Sequence, residues 1–193
     1  DYENVKEQVK EDIMADLGGY PVFVKPANAG SSVGVSKAKN AAELDKAVAV
    51  AAKEDKKILS EGCIVGKGVE CAVMGNAIPK VSGVGEIAPS AEFYDYEDKY
   101  KNGTSKVYIP APLDDELSAE ICNTAAKAYR ALGCSGLSRV DFFVRDSYNA
   151  ILLNEINTLP GFTSISMYSM LWKACGIDYG HLLGHIIQFA FDK

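Results

Sequence analysis

Two segments in the carboxyl-terminal part of the chain constrain the fold most, because together they predict a β-hairpin. Residues 136–144 (GLSRVDFFV) and 150–157 (AILLNEIN) are rich in β-branched and aromatic residues, and the turn at residues 145–149 separates them. A hairpin is only marginally stable in water without further strands or a helix packed on it. The hairpin therefore predicts a larger antiparallel sheet with at least one covered face.

Four polar side chains interrupt this apolar pair of strands. Side chains alternate between faces, so Arg139 shares a face with Asp141, and Glu155 shares a face with Asn157. Mg²⁺ takes carboxylate oxygens together with substrate phosphates, and an arginine beside it suits an anion that gains charge in a transition state. The alternative is a solvated face with ordinary ion pairs, which the apolar character of the remaining positions disfavours.

The register of the hairpin decides how close these groups come. If Val144 pairs with Ala150, Arg139 lies opposite Glu155. Asp141 then lies diagonally from Glu155, about 7–8 Å away along the backbone, within reach of a shared ion. The pattern predicts a metal and anion site on this face.

A second candidate site follows an earlier strand. Lys25 ends the apolar segment 20–25 (YPVFVK), and Gly30-Ser31-Ser32-Val33-Gly34 comes shortly after it. Glycines let a backbone approach a phosphate, and backbone N–H groups and Ser hydroxyls can bind its oxygens. The spacing is not that of a Walker motif, and a simple turn remains the alternative.

The remaining segments predict an α+β fold of two sub-lobes that meet near residue 65, with domains at 1–66 and 67–193. A polar, Tyr-rich stretch at 91–106 is long enough to be a functional loop. The predicted helices cover residues 2–17, 40–53, 114–132 and 178–191, and the predicted additional strands cover 57–61, 69–74, 76–84 and 107–110.

Composition excludes several classes of protein. With 20 basic against 26 acidic residues and a net charge of −6, the chain offers no basic surface for nucleic acid or an anionic membrane. No apolar run approaches the roughly 20 residues of a membrane span. The five cysteines form no C-x-x-C pair, which predicts buried, reduced thiols in a cytoplasmic protein. His181 and His185 have metal-pair spacing without a third ligand, and we expect surface histidines.

Four segments together resemble the D-alanine–D-alanine ligases of the ATP-grasp superfamily: VFVKPANAGSSVGVSKA, FYDYEDKY, LGCSGLSRVDFF and LNEINTLPGFTSISMY. They span about residues 18–193 in the order in which the family has them, and the last is the most specific. The resemblance implies an ATP-grasp fold with the nucleotide site between two sub-lobes. It also implies ATP and Mg²⁺, or Mn²⁺ in its place, as cofactors.

The resemblance also implies a role for individual residues. The implied magnesium ligands are Asp141, Glu155 and Asn157. Lys25 resembles the lysine that binds the α- and β-phosphates. Ser31, assigned to catalysis, and Ser32, assigned to nucleotide binding, lie in the family's serine loop, which covers the phosphates and helps bind the acceptor. The implied adenine and ribose contacts are Phe23, Phe143, Glu61, the backbone near Cys63 and Ile64, and Glu70.

The catalytic and acceptor groups are assigned in the same way. Arg139 resembles the arginine that stabilises the acyl phosphate and the tetrahedral intermediate, and Gly161 resembles the donor of an oxyanion-hole N–H. Lys99, assigned to nucleotide binding, and Tyr100, assigned to catalysis, fall in the family's omega loop. The implied acceptor contacts are Ser166 and Met167.

The implied reaction joins two D-alanines through an acyl phosphate, for peptidoglycan precursors. D-Serine as acceptor is one alternative, whereas D-lactate ligases tend to have histidine at the position of Tyr100. The family's N-terminal domain and an early ATP-contacting lysine have no counterpart in these 193 residues, which begin at Asp1. We therefore expect a fragment that is inactive alone, from a protein that is a homodimer at full length. A fragment that only binds nucleotide, or merely folds, is the other alternative.

Overall fold

The computed structural model describes residues 2–88, 106–145 and 150–192. Most of the predicted helices begin within a few residues of their predicted positions. The helices are α1 (Tyr2–Asp16), α2 (Ala41–Ala51), α3 (Asp115–Ala131), α4 (Met167–Ala174) and α5 (Tyr179–Phe191). The strands are β1 (Val22–Pro26), β2 (Ser36–Ala38), β3 (Ile58–Gly62), β4 (Gly66–Gly75), β5 (Lys80–Ala88), β6 (Lys106–Tyr108), β7 (Gly136–Arg145) and β8 (Ala150–Asn157).

The chain divides into two compact units, the second of which begins at Val65. The first unit is an antiparallel sheet of order β2-β1-β3 with α1 and α2. Val22 and Val24 of β1 are fully buried in one cluster with Ile13 of α1 and Leu44 of α2. Because side chains alternate along β1, Phe23 and Lys25 lie on the opposite face and are half-buried.

The second unit is an antiparallel sheet of order β6-β5-β4-β7-β8. Helix α3 packs on one face, where Ile121 and Tyr129 join the valines of β4 and β7 in one core. Helices α4 and α5 form a second core on the other face, in which Tyr168 and Leu171 pack with Met74. Strand β4 is central and buried on both faces over most of its length.

The predicted α+β class is confirmed as a mixed fold built on antiparallel sheets. The side chain of Asn40 accepts a hydrogen bond from the Glu43 N–H, and that of Asp114 accepts one from the Leu117 N–H, so each caps the helix that follows it. The prediction of a strand at 76–84 was wrong in its bounds, since β5 begins at Lys80. Asn76 instead donates a hydrogen bond to the Phe189 carbonyl and accepts one from Gly136 N–H.

The sequence analysis missed the helix α4, in which Leu171 and Trp172 are buried. The helix is short and buries most of its sides, so its apolar residues do not show a helical period. The prediction of buried cysteines was correct for Cys71 alone: all five thiols are free, but Cys175 is exposed and the others are half-buried. His181 and His185 are exposed, as expected. Within the described residues, we find no helix that is both long and apolar enough to cross a membrane.

We expect Tyr129→Phe to lower the free energy of unfolding by about 1 kcal/mol, because a buried carbonyl would lose its hydrogen-bond donor. The fully buried Tyr129 hydroxyl donates to the Gly75 carbonyl at 2.7 Å, and burial raises the pKa of Tyr129 to about 12. Urea denaturation of the variant measures the loss. Tyr108→Phe, at an exposed position of the edge strand, is the matched control. Equal stability of the two variants would contradict this role.

Candidate functional site

Buried and half-buried side chains alternate along β7 of the second unit. On β7, Val140, Phe142 and Val144 are buried against α3. Arg139 and Asp141 lie on the other face and are half-buried. The polar side chains therefore share the sheet face on which α4 and α5 pack, at positions beyond Leu137, which packs against those helices.

Three carboxylates form a row across β4, β7 and β8. Asp141 pairs directly with Glu70 on one side and with Glu155 on the other. In the next row, Arg139 lies opposite Asn157. Directly opposed residues have Cβ atoms about 4.5–5.5 Å apart, so each carboxylate is within reach of its neighbour.

This register corrects the sequence-based one. Arg145, and not Val144, pairs with Ala150, and an irregularity between Asp141 and Phe142 shifts the ladder by one more residue. The extra residue, Asn154, is a β-bulge that turns the diagonal relation between Asp141 and Glu155 into a direct one. The two predicted metal ligands therefore lie closer than expected.

Arg139 is bound between the carboxylates. Its Nε and Nη2 donate to both oxygens of Asp141, at 2.7 and 2.6 Å, and its Nε lies 3.0 Å from Oε2 of Glu70. Burial of the guanidinium opposes its charge, but the hydrogen bonds to Asp141 and the charges of Glu70, Asp141 and Glu155 outweigh this and raise the pKa of Arg139. The arginine is thus a permanent cation that offsets the negative charge of the three carboxylates.

The donor atoms at this face suit a hard divalent ion. Asp141 and Glu155 supply carboxylate oxygens from neighbouring strands, and Asn157 follows two residues after Glu155 with an amide oxygen. Across the described ranges, His, Cys, Asp and Glu alone form no cluster of three arranged around a metal position. The residues present therefore fit an ion that the ligand also coordinates, rather than one enclosed by protein groups.

The loop after β8 is folded back on itself by side-chain hydrogen bonds. Asn157 Oδ1 accepts from the Leu159 N–H, and Ser166 Oγ accepts from the Thr163 N–H at 3.1 Å. A Cβ on Gly161 would approach Ser166 Oγ to 3.2 Å, so glycine permits this close packing. Met167, the first residue of α4, is buried. Gly161 and Ser166 therefore lie together, while Met167 contributes to the core.

In the first unit, the polar face of β1 carries the predicted phosphate ligand. Lys25 Nζ lies 2.6 Å from Oε1 of Glu61 on β3. Phe23 pairs with Glu61 on one side and with Lys37 of β2 on the other, and Lys37 Nζ lies 5.9 Å from the Phe23 ring centroid. This distance is within the range of a cation–π contact. Two lysines, one aromatic ring and one carboxylate thus share a face.

Lys37 was missed by the sequence analysis. Residues directly opposite each other on neighbouring antiparallel strands share a face, and Lys37 of β2 lies opposite Phe23. The strand has only three residues, and this length shows no alternation to interpret.

The Gly/Ser loop has an unusual backbone. Ser31 and Ser32 have φ angles of 53° and 60°, in the left-handed region that favours glycine. Such a conformation costs about 1–3 kcal/mol for each residue and persists only where the surroundings enforce it.

After β3, Cys63 N–H donates to the Pro21 carbonyl, and Cys63 and Ile64 are both half-buried. Phe143 is half-buried on the face of Arg139.

Lys99 and Tyr100 lie outside the described residues. The remaining predicted site residues group by unit. Those in the first unit are Phe23, Lys25, Ser31, Ser32, Glu61, Cys63 and Ile64, and those in the second are Glu70, Arg139, Asp141, Phe143, Glu155, Asn157, Gly161, Ser166 and Met167.

Comparison with known proteins finds similarity along nearly the whole chain. The family model described as "D-ala D-ala ligase C-terminus" matches residues 1–188. The D-alanine–D-alanine ligase of Acetivibrio thermocellus is 53% identical over 193 residues, covering 100% of this chain and 50% of that protein. The corresponding ligase of Clostridium acetobutylicum is 50% identical over 193 residues, 100% of this chain and 56% of its own. The chain thus spans about half the length of the curated relatives it matches.

Solved structures are similar over nearly the whole chain. The VanG D-Ala:D-Ser ligase of Enterococcus faecalis is 41% identical with a TM-score of 0.85, over 96% of this chain and 54% of that one. The D-alanine–D-alanine ligase of Coxiella burnetii is 36% identical with a TM-score of 0.84, over 97% and 49%.

We expect Arg139→Met to destabilise the fold by about 3 kcal/mol, because it removes the cation from a largely buried group of carboxylates. The side chains of Glu70 and Asp141 are only 11% and 13% exposed. Adding Asp141→Asn to this variant is expected to restore part of the loss by removing one uncompensated charge. Urea denaturation midpoints give both values.

The matched control is Arg145→Met, at an exposed position of the same strand, for which we expect a change below about 0.5 kcal/mol. A loss as large as that of Arg139→Met, or no recovery in the double variant, would contradict charge compensation as the cause.

Proposed function

The chain belongs to the D-Ala–D-Ala ligase C-terminal family, and from this premise we propose that the full-length protein joins two D-alanines at the expense of ATP. ATP phosphorylates the carboxylate of the first D-alanine, and the amine of the second attacks the acyl phosphate with release of phosphate. The observation that carries the proposal is the row Glu70–Asp141–Glu155 with Arg139 bound into it. Peptidoglycan precursor synthesis is the process that this dipeptide serves.

Asp141, Glu155 and Asn157 would hold Mg²⁺, or Mn²⁺ in its place. Bound there, the ion supplies neutralisation of phosphate charge. Their oxygen atoms and their shared sheet face support this assignment. The two hydrogen bonds from Arg139 to Asp141 orient that carboxylate.

Arg139 stabilises negative charge that develops on the acyl phosphate and the tetrahedral intermediate. Its contacts with Asp141 and Glu70 use the Nε and Nη2 atoms, and they fix the plane of the guanidinium before substrate binds. A preorganised donor costs no reorganisation when charge develops. Its raised pKa keeps it charged throughout the physiological range.

The polar face of β1 supports nucleotide binding. Lys25 supplies a compact cation for the α- and β-phosphates, and its contact with Glu61 holds it extended across the sheet. Ser31 and Ser32 supply hydroxyl and backbone donors from the Gly/Ser loop. The adenine and ribose contacts that we propose are Phe23, Phe143, Glu61, Cys63, Ile64 and Glu70.

The acceptor contacts are assigned to the loop after β8. Gly161 donates a backbone N–H to the oxyanion, and Ser166, with Met167 beside it, contacts the carboxylate of the second amino acid. The close packing of Gly161 against Ser166 supports a shared role. We place the protein in the cytoplasm, where free thiols persist. The homodimer stays a prediction from the resemblance.

D-Serine is the second candidate acceptor, which the similarity to a D-Ala:D-Ser ligase at 41% identity favours. The two acceptors differ by one hydroxyl, and a small pocket rejects such a group only weakly unless built to do so. The curated relatives at 50% and 53% identity are D-alanine–D-alanine ligases, and we therefore place D-alanine first.

We expect the full-length protein, supplied with ATP, magnesium and both amino acids in equal amounts, to form D-alanyl-D-alanine as its main dipeptide. Chromatography of the products separates it from D-alanyl-D-serine. If D-alanyl-D-serine were the main product, D-serine would replace D-alanine as the proposed acceptor. ATP binding without any dipeptide would leave only a nucleotide-binding protein.

We expect Arg139→Ala in the full-length protein to lower the rate of ligation about 10²–10³-fold, the usual effect of removing one transition-state donor. Coupled measurement of ADP release gives the rate, and circular dichroism confirms that the variant is folded. Arg145→Ala, at the exposed end of the same strand, is the control and should retain the full rate. A near-normal rate for Arg139→Ala would exclude the catalytic role.

A further inference from the structure

A carboxylate outside the predicted site holds the base of the Gly/Ser loop. Asp55 lies in the turn between α2 and β3. Its Oδ2 accepts two hydrogen bonds from Asn28, one from the backbone N–H at 2.8 Å and one from the side-chain amide at 2.7 Å. Its Oδ1 accepts from Lys57 N–H at 3.1 Å. The side chain of Asp55 thus connects the turn to Asn28, which lies two residues before Gly30 of the loop.

The same turn contacts the loop at two further points. The Ala27 N–H donates to the Lys57 carbonyl at 2.9 Å. At the far end of the loop, Gly34 has a φ of +73°, and a Cβ there would lie 3.0 Å from Cγ of Glu54 and 3.2 Å from the Pro26 ring. Both ends of the loop therefore lie close to residues 54–57.

Backbone hydrogen bonds within the loop run from Val33 N–H to the Gly30 carbonyl and from Val35 N–H to the Ser32 carbonyl. Ser31 and Ser32 have left-handed backbones. Such conformations persist only where the surroundings over-determine them, and the contacts of residues 54–57 with both ends of the loop are part of those surroundings. Asp55 is a charged part of those contacts, and hydrogen bonds from Lys57 and Asn28 lower its pKa, so it is ionised at neutral pH.

We propose that Asp55 is a positioning residue for the phosphate-binding loop, acting through Asn28 to hold Ser31 and Ser32 in the conformation that meets the nucleotide phosphates. The inference rests on the proposed function for the assignment of the loop to phosphate. It predicts an effect on the phosphate part of the nucleotide and none on the nucleoside part.

The test is calorimetric binding to the full-length protein, with a non-hydrolysable ATP analogue plus magnesium and, separately, with adenosine. Asp55→Ala is expected to weaken the analogue about tenfold and to leave the affinity for adenosine within twofold of wild type. Asn28→Ala, which keeps its backbone hydrogen bond to Asp55, should have a smaller effect in the same direction. Asp55→Asn keeps the size of the side chain and serves if the alanine variant does not fold.

Asp12→Ala is the matched control, since Asp12 accepts a side-chain hydrogen bond only four residues away, from Gln8 within α1. It should change neither affinity. An unchanged affinity for the ATP analogue in folded Asp55 variants would overturn the inference, and so would equal weakening of the analogue and adenosine, which indicates a general structural effect. Wild-type protein that binds the analogue but forms no dipeptide would refute the proposed ligation and leave this inference standing.

Discussion

The ion pairs of Arg139 are the interaction on which the polar face of the second unit depends. Three carboxylates in one row on neighbouring strands repel one another, and directly opposed like charges destabilise a sheet. Glu70 and Asp141 are also largely buried, which raises the cost of their charges further. The guanidinium of Arg139 offsets both the repulsion and the cost of burial. It donates two parallel hydrogen bonds to Asp141 and lies 3.0 Å from Glu70.

The same arrangement explains why such a row survives in a folded protein. A sheet face with net negative charge is unfavourable by itself, but it suits the binding of a divalent cation. Burial opposes ionisation of Arg139, and yet its pKa is raised, so the electrostatic field of the carboxylates dominates desolvation at this position. The site therefore combines fixed charges of both signs within one patch of sheet. This is the arrangement that catalysis by electrostatic preorganisation requires.

The fold was predictable where local rules decide it. Alternation placed Arg139 and Asp141 on one face, and the helices predicted at 40–53 and 114–132 begin at Ala41 and Asp115. The register of the hairpin was not predictable, because it depends on a bulge at Asn154 that no local signal marks. Helix α4 was missed for a related reason: tertiary burial on most of its sides removes the helical period from its sequence.

The Gly/Ser loop shows where local preference and the native structure disagree. Serine disfavours the left-handed backbone, yet Ser31 and Ser32 both adopt it, while neighbouring Gly30 could have taken such an angle at lower cost. A sequence that gives up stability in this way gains side-chain hydroxyls at positions where glycine would have provided none. Local backbone preferences are expected to be violated at functional sites, and here two consecutive residues violate them. The conflict itself therefore supports a ligand-binding role, independently of the glycine-rich composition that first suggested one.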